Sequence, residues 1–226
     1  MIYKKFISVI AVSLALAAPA SAATFTGEFW DVDTGSAGDP ASNIIDNLAD
    51  ALSIVEGADQ RDADATFVST GIDYPTGPTG PGSTSQTLSS WLGADAASLS
   101  GLGSTTMLGS IFRFTGSIFV DAGINNFTVG ADDGFRLIID GNEVASFGGT
   151  KAFTNHPAVY DNLSAAGVKS FELIFYEDNA VAVGVDFRRD GAVVQPEPVP
   201  LPASAVLLLG GLAGAGAFAR RRQKAA

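Results

Sequence analysis

The strongest constraint in this 226-residue chain is a period of two that runs through its second half. Phe112, Phe114, Gly116, Ile118 and Val120 fall on one side of an extended segment, with Arg113, Thr115 and Ser117 on the other. Phe127, Val129 and Ala131 repeat the pattern, followed by Phe135, Leu137 and Ile139. Later, Phe171, Leu173 and Phe175 alternate with Glu172, Ile174 and Tyr176, and Val181, Val183, Val185 and Phe187 alternate with Ala182, Gly184, Asp186 and Arg188. Successive strand side chains point to opposite faces, so each run reads as a half-buried antiparallel strand. Asp140-Gly141 and Asp178-Asn179 suit tight hairpin turns between neighbouring runs. The class is all-β, an antiparallel β-sandwich or barrel.

The first half is less regular. Phe25 to Val32 reads as an opening strand anchored by Phe25, Phe29 and Trp30. Ile44, Ile45, Leu48, Ala51, Leu52 and Val55 follow helical spacing, with Ser42 or Asn43 as N-cap and Gly57 as the stop, which predicts one short amphipathic helix on the sandwich. Residues 73–86, rich in Gly, Pro, Ser and Thr, read as an exposed loop.

Both ends read as targeting segments rather than fold. Residues 1–22 have the plan of a secretory signal peptide: Lys4 and Lys5, an apolar run from Phe6 to Ala18, then the small-x-small site Ala20-Ser21-Ala22. At the other end, residues 203–219 form an uncharged apolar run followed by Arg220, Arg221, Arg222 and Lys224. Seventeen residues of helix reach about 25 Å, the short limit for a transmembrane helix, and the basic cluster places residues 220–226 in the cytoplasm. The expected organisation is therefore a signal peptide (1–22), a β-sandwich domain (23–194), a Pro-rich linker (195–202), a membrane helix (203–219) and a basic tail (220–226).

Composition narrows the chemistry. There is no Cys and a single His, which excludes disulfides, thiolate nucleophiles, Cys-ligated metal clusters and His-built metal sites. Residues 23–200 hold seven basic residues against 24 acidic ones, a net charge of −17. Such a surface repels nucleic acid and suits divalent cations or neutral ligands.

Two resemblances add to this reading. Val199-Pro200-Leu201-Pro202-Ala203, with Pro196-Glu197-Pro198 upstream and the apolar run and Arg cluster downstream, resembles the PEP-CTERM family of sorting signals in its VPLPA-CTERM variant. That resemblance implies a bacterial cell-envelope protein, anchored in the inner membrane until an exosortase-type transpeptidase processes it, then at the cell surface or outside the cell. Thr26-Gly27-Glu28-Phe29-Trp30, the Phe112 to Ile118 strand, Phe127-x-Val129, the segment from Ala131-Asp132-Asp133-Gly134 to Asp140-Gly141, and Phe171 to Glu177 resemble, in this order, the protective-antigen-type (PA14) domain. The family is a β-sandwich of toxins, glycosidases and adhesins. Nothing in 35–105 aligns with it. In its lectin members an Asp–Asp pair joined by a cis peptide bond holds Ca²⁺, which binds sugar hydroxyls directly, and an Asn from a later loop joins the ion. The resemblance thus implies Asp132, Asp133 and Asn179 as metal ligands, Ca²⁺ as cofactor and carbohydrate or exopolysaccharide as partner. Neighbouring side chains on an extended trans chain diverge, so both carboxylates can clasp one ion only where the backbone bends.

Asp-Asp-Gly also makes an ordinary β-turn, and a structural surface-matrix module without ligand is the alternative reading. Asp31-Val32-Asp33-Thr34-Gly35 starts like a calcium loop but has Gly35 where a ligand belongs and no closing Glu. Asp59, Asp62 and Asp64 read as a solvated face. His156, Asp161 and a Ser are the material for an envelope hydrolase, yet no Gly-x-Ser-x-Gly elbow is present, and the chain reads as non-enzymatic. Trp91, Tyr74 and Tyr160 read as exposed aromatics able to stack on a sugar, with core packing the commoner fate of a Trp.

Overall fold

A computed structural model describes residues 23–32, 45–75, 80–178 and 181–198. The expected signal peptide, membrane helix and basic tail, together with Asp33 to Ile44 and Asn179, lie outside the described residues. In chain order the strands are β1 (Phe25–Asp31), β2 (Ala65–Ser69), β3 (Asp73–Tyr74), β4 (Gly82–Ser83), β5 (Ser100–Gly101), β6 (Ser110–Val120), β7 (Gly123–Asp132), β8 (Gly134–Ile139), β9 (Asn142–Phe147), β10 (Thr154–Asn162), β11 (Gly167–Glu177), β12 (Ala182–Arg189) and β13 (Ala192–Val193). Two short helices, α1 (Leu48–Glu56) and α2 (Leu88–Leu92), interrupt them, the second continuing into a 3₁₀ turn at Gly93–Ser98.

The strands form two antiparallel sheets packed face to face. One runs β5-β2-β1-β6-β11-β8-β9 and the other β10-β7-β12-β13, with β3 and β4 also pairing to β12. The inward register is the one the alternation predicts. Phe112, Phe114, Ile118 and Val120 face Phe127, Val129, Ala131, Val183, Val185 and Phe187 in one core. Alternation breaks where the larger sheet is covered on both faces. Trp30, Ile111, Ile174 and Tyr176 point outward, and α1 packs Ala51, Ile54 and Val55 onto them as a second core. Arg136 pins that layer, pairing with Glu56 of α1 at 2.6 Å and Glu172 of β11 at 2.9 Å.

The helix start differs from the expected one. Asn47 is the N-cap, its side-chain oxygen accepting from the N–H groups of Ala49 and Asp50, while Gly57 ends the helix as expected. The described residues of the expected loop 73–86 carry two short strands, β3 and β4. The aromatic trio is not on the surface. Trp91 is fully enclosed, Tyr74 stacks on it at 4.8 Å, and Tyr160 is buried. The Tyr74 hydroxyl sits between Ser69, at 2.9 Å, and the Asp95 carboxylate, which also accepts from the Thr70 N–H. These bonds let a phenol enter the core with its polar tip satisfied. The Asp140-Gly141 turn has φ of 53° and 77°, the paired left-handed residues that join β8 to β9.

Packing continues past the expected domain end. Val194 is buried and its N–H donates to the Phe187 carbonyl, and the Glu197 N–H donates to the Ser117 carbonyl at 2.8 Å. Replacing Trp91 with Ala is expected to cost about 3–5 kcal/mol in urea unfolding, the range for removing a large core aromatic. An exposed sugar-stacking Trp would leave stability nearly unchanged.

Candidate functional site

The site is built where the chain changes sheets. β7 ends at Asp132 in the smaller sheet, and β8 begins at Gly134 in the larger one, so Asp133 alone makes the crossing. The Asp132–Asp133 peptide is cis. Another crossing, from β11 to β12, leaves the same end of the sandwich: Tyr176 is opposite Gly134, and Gly184 is opposite Asp132. Glu177, the last residue of β11, therefore arrives beside the Asp pair. One carboxylate oxygen from each of Asp132, Asp133 and Glu177 lies within 4.8 Å of the others, and all three residues are buried.

Backbone N–H groups orient the two Asp side chains. The Lys151 and Asp178 N–H groups donate to the two oxygens of Asp133, at 2.8 and 2.9 Å, and the Phe153 N–H donates to Asp132 at 3.0 Å. The Asp133 N–H donates to the Tyr176 carbonyl, closing the corner. The Lys151 ammonium donates to the Ala131 carbonyl and lies 5.2 Å from the centre of the Phe147 ring. Gly134 gives Tyr176 its place, since a Cβ there would meet the phenol ring.

The electrostatics follow from crowding acids away from water. Asp132 is pushed up to about 6, first by burial and then by the Asp133 charge beside it, with the Phe153 N–H and Lys151 pulling the other way. Burial pushes Lys151 down to about 8 against the pull of Asp132 and Asp133. Burial and the Asp133 charge also raise the Tyr176 phenol. Three buried carboxylates with one half-buried ammonium form a site that gains from a cation. The donor set is hard oxygen, the kind Ca²⁺ takes, and carboxylates binding through one or two oxygens supply three to six of the six to eight it requires. Asn179 lies outside the described residues, two positions past Glu177.

Glu177 was not among the residues singled out by sequence. Its signal was parity, because it continues the inward series Phe171, Leu173, Phe175, and an acid in core register at a strand end requires a partner. Other sequence candidates scatter. Asp64 bonds Arg61 at 2.8 Å and accepts the Asp31 N–H at 2.9 Å, and Asp59 accepts from Ser53. His156 is wedged between Phe135 and Phe147, with centroids at 5.4 and 5.2 Å, while Asp161, an odd number of residues along β10, is exposed on the opposite face.

The architecture is a PA14-like β-sandwich. The chain is similar to the crystal structure of the PA14 domain of MpAFP antifreeze protein, with 25% identity and a TM-score of 0.59, over 76% of this chain and 86% of that one. It is similar also to a PA14 sugar-binding domain from an RTX adhesin, with 26% identity and a TM-score of 0.57, over 78% of this chain and 96% of that one. The A domain of epithelial adhesin 6 (Epa6A) from Candida glabrata, in complex with Galb1-3GlcNAc, shares the fold at 16% identity and a TM-score of 0.50, over 80% of this chain and 94% of that one. No protein-family model and no curated protein matches the sequence.

Because the folded Asp132 pKa lies above its ordinary value of 3.8, its charge opposes folding as pH rises from there to about 6. The chelated protein is expected to lose stability across that window, and Asp132→Asn to flatten the loss. At pH 7 in chelator, this variant should melt higher by roughly 2–4 °C, equivalent to about 1 kcal/mol in a domain of this size. Thermal unfolding of the two proteins from pH 4 to 7 reads the effect, and a lower melting temperature for the variant at every pH would contradict it.

Proposed function

We propose that this is an exported, non-enzymatic carbohydrate-binding protein of the cell envelope, in which Asp132, Asp133 and Glu177, joined by Asn179 from the loop that follows, hold Ca²⁺ for direct contact with sugar hydroxyls. The observation that carries the reading is the convergence of three buried carboxylates at the corner where β7 passes to β8 and β11 passes to β12. Bound there, Ca²⁺ supplies a Lewis-acidic centre with coordination positions left for paired sugar hydroxyls. The residues of this chain aim the carboxylates through the backbone N–H groups of Lys151, Phe153 and Asp178. The RTX adhesin domain, described as sugar-binding, supports carbohydrate as the ligand class.

The position of the first and last described residues of the domain supports a role in adhesion or in an exopolysaccharide layer. Ser110 of β6 stands opposite Glu177, at the carboxylate corner, whereas the Glu197 N–H bonds Ser117, seven residues further along the same strand. Strand rise makes that about 23 Å. The start of β1 lies at the same far end, with Thr26 opposite Thr115. A membrane helix at 203–219 would therefore tether the domain by the pole away from the site and present the carboxylates outward. Removal of that helix by an exosortase-type enzyme would release the domain with the site unchanged.

The three N–H bonds that fix Asp132 and Asp133 favour a second reading, a surface-matrix module in which the acids only close the corner. The two separate in calorimetry. The detergent-solubilised full chain is expected to bind one Ca²⁺, to gain about 2.7 kcal/mol of stability at a hundredfold excess over Kd, and to bind neutral glycans on an array only without chelator. Asp133→Ala is expected to abolish all three. Chelator-insensitive melting with an array silent in both conditions would favour the matrix module.

A further inference from the structure

The pole of the sandwich away from the carboxylate corner carries apolar side chains that the fold leaves uncovered. Leu163, in the loop after β10, is 92% exposed, and Ile124, near the start of β7, is 68% exposed. Asp161 lies opposite Ile124, and Val159, 55% exposed, stands two residues before Asp161 on the same outer face of the smaller sheet. Diagonal neighbours across an antiparallel pair are within reach of long side chains, so Ile124 and Val159 form one patch. Val159 and Leu163 in turn line one open hollow, which joins the loop to the strand.

Two buried Asn side chains hold this pole in place. Asn125 accepts the Asp121 N–H at 2.9 Å and donates to the Gly123 carbonyl at 2.8 Å. Asn162 donates to the Asp121 carbonyl at 2.8 Å and accepts from the Ser164 hydroxyl at 2.6 Å. The turn after β6 and the loop after β10 are thereby stapled to each other, with Ile124 and Leu163 beside the staple. A nearly bare Leu on a fixed backbone loses little conformational entropy when a partner covers it.

The length of the tether bears on what that partner is. The Glu197 N–H is bonded to the Ser117 carbonyl, and Ala203, the first residue of the expected membrane helix, is six residues further on. Six extended residues reach at most about 20 Å. Ser117 lies three residues short of the end of β6, so with the strands upright about 10 Å of that reach is used before the chain clears the pole. The remaining 10 Å or so is little more than the headgroup layer, roughly 5–8 Å on each side of the hydrocarbon. A membrane helix at 203–219 would thus hold the apolar pole against the lipid. Charge selects the kind of surface. Arg189 is paired with Asp121 and Lys169 with Asp140, while Asp161 and Asp190 are exposed, so the pole favours neutral headgroups over anionic ones.

We propose that Leu163, Ile124 and Val159 form a lipid-contact surface that dips into the headgroup layer of a zwitterionic bilayer and holds the sandwich in a fixed attitude on its tether. The inference rests on the membrane helix of the proposed function and adds what this end of the domain touches. Ile124 and Asp132 are eight residues apart along β7, which keeps the carboxylate corner about 27 Å from the contact.

Because the chain has no Cys, Leu163→Cys gives a single thiol for an environment-sensitive fluorophore. Val181→Cys is the control, an apolar residue that is 77% exposed just before β12, at the other pole. The full chain is reconstituted into phosphatidylethanolamine–phosphatidylcholine vesicles that contain a doxyl-labelled quencher lipid. The label at 163 is expected to lose most of its emission and the label at 181 to keep it. Inserting about twenty Gly/Ser residues after Pro198 adds roughly 25 Å of reach and separates adhesion from proximity. Quenching at 163 should survive that insertion, weaken when phosphatidylglycerol is added, and vanish when Ile124→Ser and Val159→Ser are combined with it. Quenching that is lost on lengthening the tether, or is no stronger at 163 than at 181, overturns the proposal. So does a label at 163 shielded from quencher lipid and aqueous iodide alike, as a second copy of the chain would shield it. Stronger quenching with phosphatidylglycerol overturns the assignment to a neutral surface. A chain that does not float with the vesicles overturns the membrane helix as well, and flotation shows which reading has failed.

Discussion

The crossing of the chain between its two sheets within a single residue determines what this end of the molecule can be. Asp132 still belongs to β7 and Gly134 already belongs to β8, so the two acids must turn the corner where the sheets meet. The crossing from β11 to β12 follows Glu177 at the same corner and adds a third carboxylate. Gly134 is part of the same arrangement, because only a residue without a side chain leaves space for the Tyr176 ring that roofs the corner from the helix side. The carboxylates are held by the same hydrogen bonds that close the sandwich.

Burying acids together is costly, and the surroundings offset that cost only in part. Three backbone N–H bonds and the nearby Lys151 ammonium favour the charged forms, yet Asp132 remains raised to about 6. A domain that retains such a cluster gains most from a divalent cation, which satisfies in one step what dipoles and a single ammonium leave unmet.

Much of this architecture was legible in the residues, for a physical reason. Alternation reports which face a strand buries, and Phe112 to Val120 and Val183 to Phe187 took the faces it assigned. Helices were harder to read. Asn47 rather than Ser42 or Asn43 caps α1, because either of two neighbouring polar stretches suits a cap and only the fold chooses between them. α2 is hidden by its setting: Leu88, Trp91 and Leu92 form one apolar face in five residues amid Ser, Thr and Gly, too short for periodicity to register. Tyr74 shows the same limit, since its partner Asp95 lies 21 residues away and no local pattern announces it. At the site, the Asp pair stood out by its strand-turn-strand context, while Glu177 was masked by the neighbouring Asp178-Asn179 turn although its inward parity marked it.

The most direct measurement of the central claim is anomalous diffraction from crystals grown with Ca²⁺. The account predicts a single strong peak at the corner, with oxygens of Asp132, Asp133 and Glu177 at the 2.3–2.6 Å typical of this ion. A corner without a peak, its carboxylates bonded only to backbone N–H groups and water at saturating Ca²⁺, would contradict it.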